Sequence, residues 1–168
     1  MHAHTLDRPP PSAAQSVPPG RPEPALSPAL QSYVRDCVMQ ALHADTADGD
    51  APRYAFHLYL CLGDEDCAAT LCDDLRALAQ GPQPQGLIAL FGQMADGLDA
   101  PAALARLMQL MHAHDRRLHL LSPPPQAEDG RLILSLGGQR FKVLSMHGEA
   151  HRLCRVMPCP VLVFTPKD

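Results

Sequence analysis

The segment RLILSLGGQRFKVLSM, residues 131–146, constrains the fold of this 168-residue chain more than any other stretch. On each side of Gly137 and Gly138, apolar and polar residues alternate with the period of a β-strand. A Gly-Gly dipeptide between two such runs favours a two-residue hairpin turn, because this turn requires a positive φ at both central positions. The sequence therefore predicts an antiparallel hairpin with strands at 131–136 and 140–146.

Two further strands are predicted at 54–62, which is aromatic and alternating, and at 160–164. Helix caps and apolar spacing at i, i+3 and i+4 predict four helices: from Ser27-Pro28, over 65–80, over 87–94 and from Asp99. No regular alternation of strands and helices with glycine loops is evident. We therefore expect an α+β fold, with helices packed on one side of a mostly antiparallel sheet that includes the C-terminal hairpin and the final strand.

Residues 1–27 are rich in Pro, Ser and Ala, so we expect a flexible arm ahead of a single α+β domain over 28–168. No apolar run approaches the roughly 20 residues that cross a bilayer, and the N-terminal stretch lacks the apolar part of a secretory signal. We therefore expect a cytoplasmic protein without a membrane partner. The net charge of −4, without a stripe of Lys and Arg, argues against a nucleic-acid partner.

The chain has six cysteines. A protein of this length has a sufficient core without disulfides, and a reducing compartment keeps cysteines as thiols. We therefore expect free thiols at Cys37, Cys61, Cys67, Cys72, Cys154 and Cys159.

The stretch SMHGEAHRLCRVMPCPVLVF, residues 145–164, concentrates side chains that bind metals or cofactors. If it is helical up to Cys154, then His147, His151 and Cys154 point within about 40° of one direction, because a helix turns about 100° per residue. Together with Cys159 they form a set of four that suits a tetrahedral zinc ion. The alternative is that both cysteines pack in the core and His151 is exposed.

Three further histidines, His112, His114 and His119, lie at the end of the predicted helix that begins at Asp99. A spacing of two residues separates side chains on a helix by about 200°, so we do not expect these three to share a metal ion.

The segment GQRFKVLSMHGEAHRLCRVMPCPVLVF resembles the signature region of the YqcI/YcgG family. In that region a hairpin strand leads to a histidine, an arginine-bearing turn, a proline and a strand of the type P-x-L-V-F-x-P. The matching residues are Gly138, Phe141, Val143, His147, Arg152, Arg155, Pro158, Pro160, Val163, Phe164 and Pro166. The resemblance extends over about residues 54–166, and the chain looks like a short, divergent member of the family.

This resemblance implies that the protein binds haem b. Characterised relatives include haem-dependent oxygenases that N-hydroxylate the guanidine group of arginine-like amino acids. The resemblance thus implies a monooxygenase-like protein with a small amino-acid-like substrate. It also implies that His147 is the axial iron ligand and that Arg152 and Arg155 pair with the haem propionates.

Other interpretations remain open. The chain either catalyses this oxidation or binds haem without catalysis, as a sensor or partner subunit would. The third alternative is a zinc-stabilised interaction module built on the four residues above. Met108, Met111 and Met146 suit the lining of a haem pocket, although core packing explains them equally well. A homodimer is also left open.

Overall fold

A computed structural model describes residues 26–45, 53–81, 85–119, 122–128, 131–146, 157 and 159–167 of the chain. The elements in chain order are α1 (Pro28–Asp45), β1 (Tyr54–Leu62), α2 (Glu65–Ala79), β2 (Gly86–Met94), α3 (Ala100–Leu118), β3 (Gln126–Glu128), β4 (Arg131–Leu136), β5 (Gln139–Met146) and β6 (Val161–Lys167). Of the arm expected over residues 1–27, the described residues include only Leu26 and Ser27.

The strands form one sheet in the order β1-β2-β6-β5-β4-β3. β1 and β2 are parallel, and every other neighbouring pair is antiparallel. The predicted α+β fold with a mostly antiparallel sheet is therefore confirmed. The hairpin is confirmed as well, since Gly137 and Gly138 adopt φ values of 58° and 84°, which suit glycine at both central positions of a tight hairpin turn.

Local sequence signals explain where the helices begin. The Asp64 carboxylate accepts hydrogen bonds from the backbone N–H groups of Asp66 and Cys67 and so caps α2. Asp99 caps α3 in the same way through the Ala102 N–H, at 2.9 Å. The Ser27 hydroxyl accepts the Leu30 N–H at 3.3 Å at the start of α1. These beginnings agree with the predicted ones.

The helix predicted over residues 87–94 is wrong, because this segment is strand β2. Leu87 to Phe91 are all buried, since β2 lies inside the sheet and is covered on both faces. A strand that is buried on both faces shows a continuous apolar run, which resembles a buried helix. β1, α2 and β2 thus form a βαβ unit that the sequence did not reveal. The short edge strand β3 was also not predicted.

The alternating side chains of the sheet contribute to two apolar clusters. α2 and α3 pack on one face, where they cover residues such as Leu87, Phe91 and Phe164. α1 packs against Ile88 and Val163, which alternate with these in the strands and so point to the opposite face. We call these the α2–α3 face and the α1 face. The helices were expected on one side of the sheet. α2 and α3 share one side, whereas α1 lies on the other.

Candidate functional site

The segment predicted to hold a cofactor connects the neighbouring strands β5 and β6. β5 ends at Met146, β6 begins at Val161, and these two residues are paired across the ladder. Both ends of the connection therefore lie at one end of the sheet, which is also where the parallel strands β1 and β2 end. His147, His151, Arg152, Cys154 and Arg155 lie outside the described residues.

Cys159 is the one residue of the predicted zinc set that the structure describes. It is buried and packs in the cluster on the α1 face. Burial raises the pKa of its thiol, because the apolar surroundings disfavour the thiolate. The packing of Cys159 in this cluster is consistent with the core-packing alternative.

Within the described ranges, no group of three or more His, Cys, Asp or Glu side chains lies close enough to hold a metal ion. His114 Nε2 lies 3.9 Å from Asp73 Oδ1, whereas His119 is exposed beside Gly137. The Nδ1 atom of His112 is buried and has no hydrogen-bond partner among the described residues. That these three histidines do not share a metal ion stays a prediction.

The three methionines suggested for a haem pocket lie on different faces of the sheet. Met108 and Met111 belong to the cluster on the α2–α3 face, and Met146 belongs to that on the α1 face. The sheet separates them, so they cannot line one pocket. Their role in the described structure is core packing.

A pocket of about 330 Å³ lies at the other end of the sheet, beside the hairpin turn. Its lining residues are Arg76, Ala79, Gln80, His119, Leu136, Gly137, Gly138 and Gln139. β5 runs from this turn to Met146, and its rise of about 3.3 Å per residue places the two ends roughly 23 Å apart. The pocket is therefore distinct from the end of the sheet where the predicted cofactor segment begins.

Arg76, which lines this pocket, forms an ion pair with the fully buried Asp115. The Arg76 Nη2 donates to Asp115 Oδ1 at 2.9 Å, and Nη1 donates to Asp73 Oδ1 at 3.0 Å. The Gly137 N–H also donates to Asp115 Oδ1, at 3.1 Å. Because the guanidinium already has two carboxylate partners, the pocket has little free positive charge for an anionic ligand.

Asp115 is fully buried. Burial by itself disfavours the carboxylate, but the neighbouring Ser122 hydroxyl, the hydrogen bond from Arg76 and the Gly137 N–H outweigh this effect and lower the pKa of Asp115. Asp115 Oδ2 and Arg76 Nε are buried without a hydrogen-bond partner among the described residues. The carboxylate is therefore charged at neutral pH and holds α2, α3 and the hairpin turn together.

A second polar cluster joins β1 to α2. The Tyr59 hydroxyl donates to Asp74 Oδ2 at 2.6 Å, and His57 Nδ1 lies 3.0 Å from the same oxygen. Tyr59 is almost fully buried and its ring stacks on Phe91, with 5.4 Å between the centroids. Since a carboxylate accepts hydrogen bonds, His57 Nδ1 is the donor to Asp74. The His57 side chain is 35% exposed.

Sequence reasoning missed both clusters. In the segment MHAHDRRLH the histidines are the obvious candidates for a site, whereas the residue that connects α2, α3 and the hairpin turn is Asp115. Its spacing provided a signal, since Leu107, Met111 and Asp115 follow at i+4 along one helix face and all three are buried. A carboxylate in phase with a buried stripe needs a cationic partner.

Comparison of the chain with protein-family models, curated proteins and solved structures finds no match. The YqcI/YcgG resemblance therefore stays a prediction from the residues quoted above. Over the residues that the structure describes, none of the helices has both the length and the apolar character needed to cross a membrane.

Proposed function

We propose that this chain is a haem-binding protein and that haem binds at the end of the sheet where β5 ends and β6 begins. The observation that supports the proposal is the pairing of Met146 with Val161, because His147 follows Met146 directly in the sequence. Histidine is a common axial ligand of haem iron.

The described residues near this end are compatible with an apolar group. Met157 is half-buried against the cluster on the α1 face, and Met94 is 37% exposed at the end of β2. Thioether side chains adapt to large flat ligands. Cys159 is buried within the same cluster. These features support the binding of a large apolar group at this end of the sheet.

The family resemblance assigns roles to three residues. His147 holds the iron, and Arg152 and Arg155 pair with the two propionates through charge-assisted hydrogen bonds. Bound haem supplies the activation of dioxygen. On this proposal the chain is a monooxygenase that N-hydroxylates a small guanidine-bearing or amino-acid-like substrate. The alternative is a haem-binding protein without catalysis.

The zinc-stabilised module is the second alternative, and it requires Cys159 as a thiolate together with His147, His151 and Cys154. Cys159 packs in the α1-face cluster, which favours its core-packing role over this alternative. Cytoplasmic location is part of the proposal. It agrees with the five described cysteines, all of which are free.

Absorption spectroscopy of the purified protein with added haemin tests the proposal. We expect a Soret band with one haem per chain, and we expect His147→Ala to abolish or strongly weaken haem retention. His119→Ala is the matched control, because His119 is exposed at the other end of the sheet. The double change of Cys154 and Cys159 to Ser should also leave the band in place.

A colourless protein with stoichiometric zinc, which it loses in the double cysteine variant, would overturn the haem assignment. A Soret band that is unchanged in His147→Ala would overturn the ligand assignment. Turnover of a guanidine-bearing substrate under dioxygen and a reductant would separate the oxygenase from the non-catalytic alternative.

A further inference from the structure

β1 forms one edge of the sheet and, among the described residues, pairs with a strand on one side only. Its nine residues, YAFHLYLCL, include no Asp, Glu, Lys or Arg, no proline and no glycine. The unpaired N–H and C=O groups of an edge strand are a template for another strand. Proteins usually protect such edges with charges, prolines, bulges or very short strands. The sequence of β1 contains none of the protective residues.

The opposite edge of the same sheet is protected. β3 has only three residues and follows Pro123, Pro124 and Pro125. Glu128, at its end, accepts hydrogen bonds from Arg140 and from Lys167 Nζ, the latter at 2.6 Å. The two edges therefore differ: β3 is short and charged, whereas β1 is long and uncharged.

Apolar side chains continue along β1 on the α1 face of the sheet. Phe56 and Leu58 are half-buried beside the α1 cluster, and the Arg35 guanidinium of α1 lies 5.8 Å from the centre of the Phe56 ring. Leu60, the next residue on this face, is 40% exposed. α1 therefore covers this row of side chains only in part, and the exposed part lies at the edge.

We propose that two copies of this chain pair through β1, antiparallel, about a two-fold axis at Leu58. Leu58 is the central residue of β1, so this register is symmetric about it. The Cys61 N–H already donates to Cys67 Sγ and the Leu62 carbonyl already accepts the Ala95 N–H, so the new ladder is formed by the residues around Leu58. This register places Phe56 opposite Leu60 of the second copy, and Leu58 opposite itself. Residues that oppose each other in an antiparallel pair point to the same face, so the apolar rows of both copies join beside the two α1 helices.

A second copy suits this edge better than the other candidate strands do. Pairing of β1 with β3 of another copy would leave free edges and extend without end, whereas β1 with β1 closes the assembly. It would also set the Glu128 cluster against an uncharged strand. The N-terminal residues 9–24 contain many prolines, which lack the N–H groups that a strand needs. The two-fold pair brings no like charges together, because β1 has none.

Sedimentation or light scattering of the full-length chain over a range of concentrations tests this pairing. The wild-type chain should be a dimer at micromolar concentration. Leu60→Glu should weaken dimerisation by about a hundredfold or more, since it buries a charge opposite Phe56. Leu118→Glu is the matched control, because Leu118 is 64% exposed on α3 and away from this edge. It should remain dimeric.

Leu58→Glu tests the position of the axis, because it sets two carboxylates directly opposite each other. Neither Leu58→Glu nor Leu58→Lys should dimerise alone, whereas a mixture of the two variants should form a heterodimer. Circular dichroism verifies that the variants are folded, and Leu60→Glu keeps the test valid if Leu58→Glu does not fold. A wild-type monomer at high micromolar concentration, or a dimer that Leu60→Glu does not affect, would overturn the proposal.

Discussion

Asp115, near the C-terminal end of α3, accepts the backbone N–H of Gly137 at 3.1 Å and thereby joins this helix to the turn between β4 and β5. The same oxygen accepts a hydrogen bond from Arg76 of α2 at 2.9 Å. One carboxylate oxygen thus connects three elements that lie far apart in the sequence. Because Asp115 is fully buried, bulk water cannot replace a partner that is lost.

Replacement of Asp115 by Ala should lower the free energy of unfolding by about 3 kcal/mol, because it leaves the largely buried Arg76 guanidinium without its buried carboxylate partner. Chemical denaturation followed by circular dichroism measures this loss. Arg116→Ala is the matched control, since Arg116 is the exposed neighbour on α3 and should change little. A loss of equal size in both variants would contradict the role given to the ion pair.

The same carboxylate should contribute a pH dependence to stability. Its pKa is lowered in the folded protein, so the folded state favours the charged form more than the unfolded state does. This contribution is complete above the ordinary aspartate pKa of about 3.9 and is lost as the pH falls through the lower folded value. The difference in unfolding free energy between wild type and Asp115→Asn should therefore shrink below about pH 4. A free-energy difference that stays constant down to about pH 2 would contradict this prediction.

Gly86→Ala should destabilise the start of β2. A Cβ atom there would lie 2.5 Å from two carbons of the Tyr54 ring and 2.8 Å from the Phe164 carbonyl oxygen. Tyr54 passes over Gly86 to place its hydroxyl 3.0 Å from Thr165 Oγ1. We expect a loss of about 1–3 kcal/mol by thermal or chemical unfolding. Tyr54→Phe, which removes only the hydroxyl, should cost about 1 kcal/mol. An unaffected Gly86→Ala protein would show that the strand shifts freely.

The cysteines should differ in their reactivity toward an alkylating reagent at mildly alkaline pH. Cys37 and Cys61 are half-buried, whereas Cys67, Cys72 and Cys159 are buried. Burial also raises the pKa of Cys72 to about 12, so this thiol is protonated in the folded protein. Mass spectrometry of peptides after timed labelling should show Cys37 modified early and Cys72 only after unfolding. Equal rates at these two positions would mean that the core around Cys72 opens readily.

The β2 segment illustrates where prediction from sequence failed. Its apolar run, GLIALF, has no periodicity that separates a strand from a helix. This segment is a strand because it pairs in parallel with β1 and is buried under helices on both faces. The six residues themselves do not show that β1 and these helices lie beside them. Leu87 points to the α2–α3 face and Ile88 to the α1 face. The apolar stripe of α1 likewise predicts that this helix packs on the sheet, but it does not show on which face of the sheet the helix lies.

The sequence by itself determined the features that depend on residues close together in the chain. These are the positive φ angles at Gly137 and Gly138, the helix caps at Asp64 and Asp99, and the alternation that defines β1, β4 and β5. Only the tertiary structure decided which distant groups meet. Arg76 lies 39 residues before Asp115, and Gly137 lies 22 residues after it, yet all three share one carboxylate oxygen. Such contacts depend on how helices and strands pack, and this is set by burial over the whole sheet rather than by any local pattern.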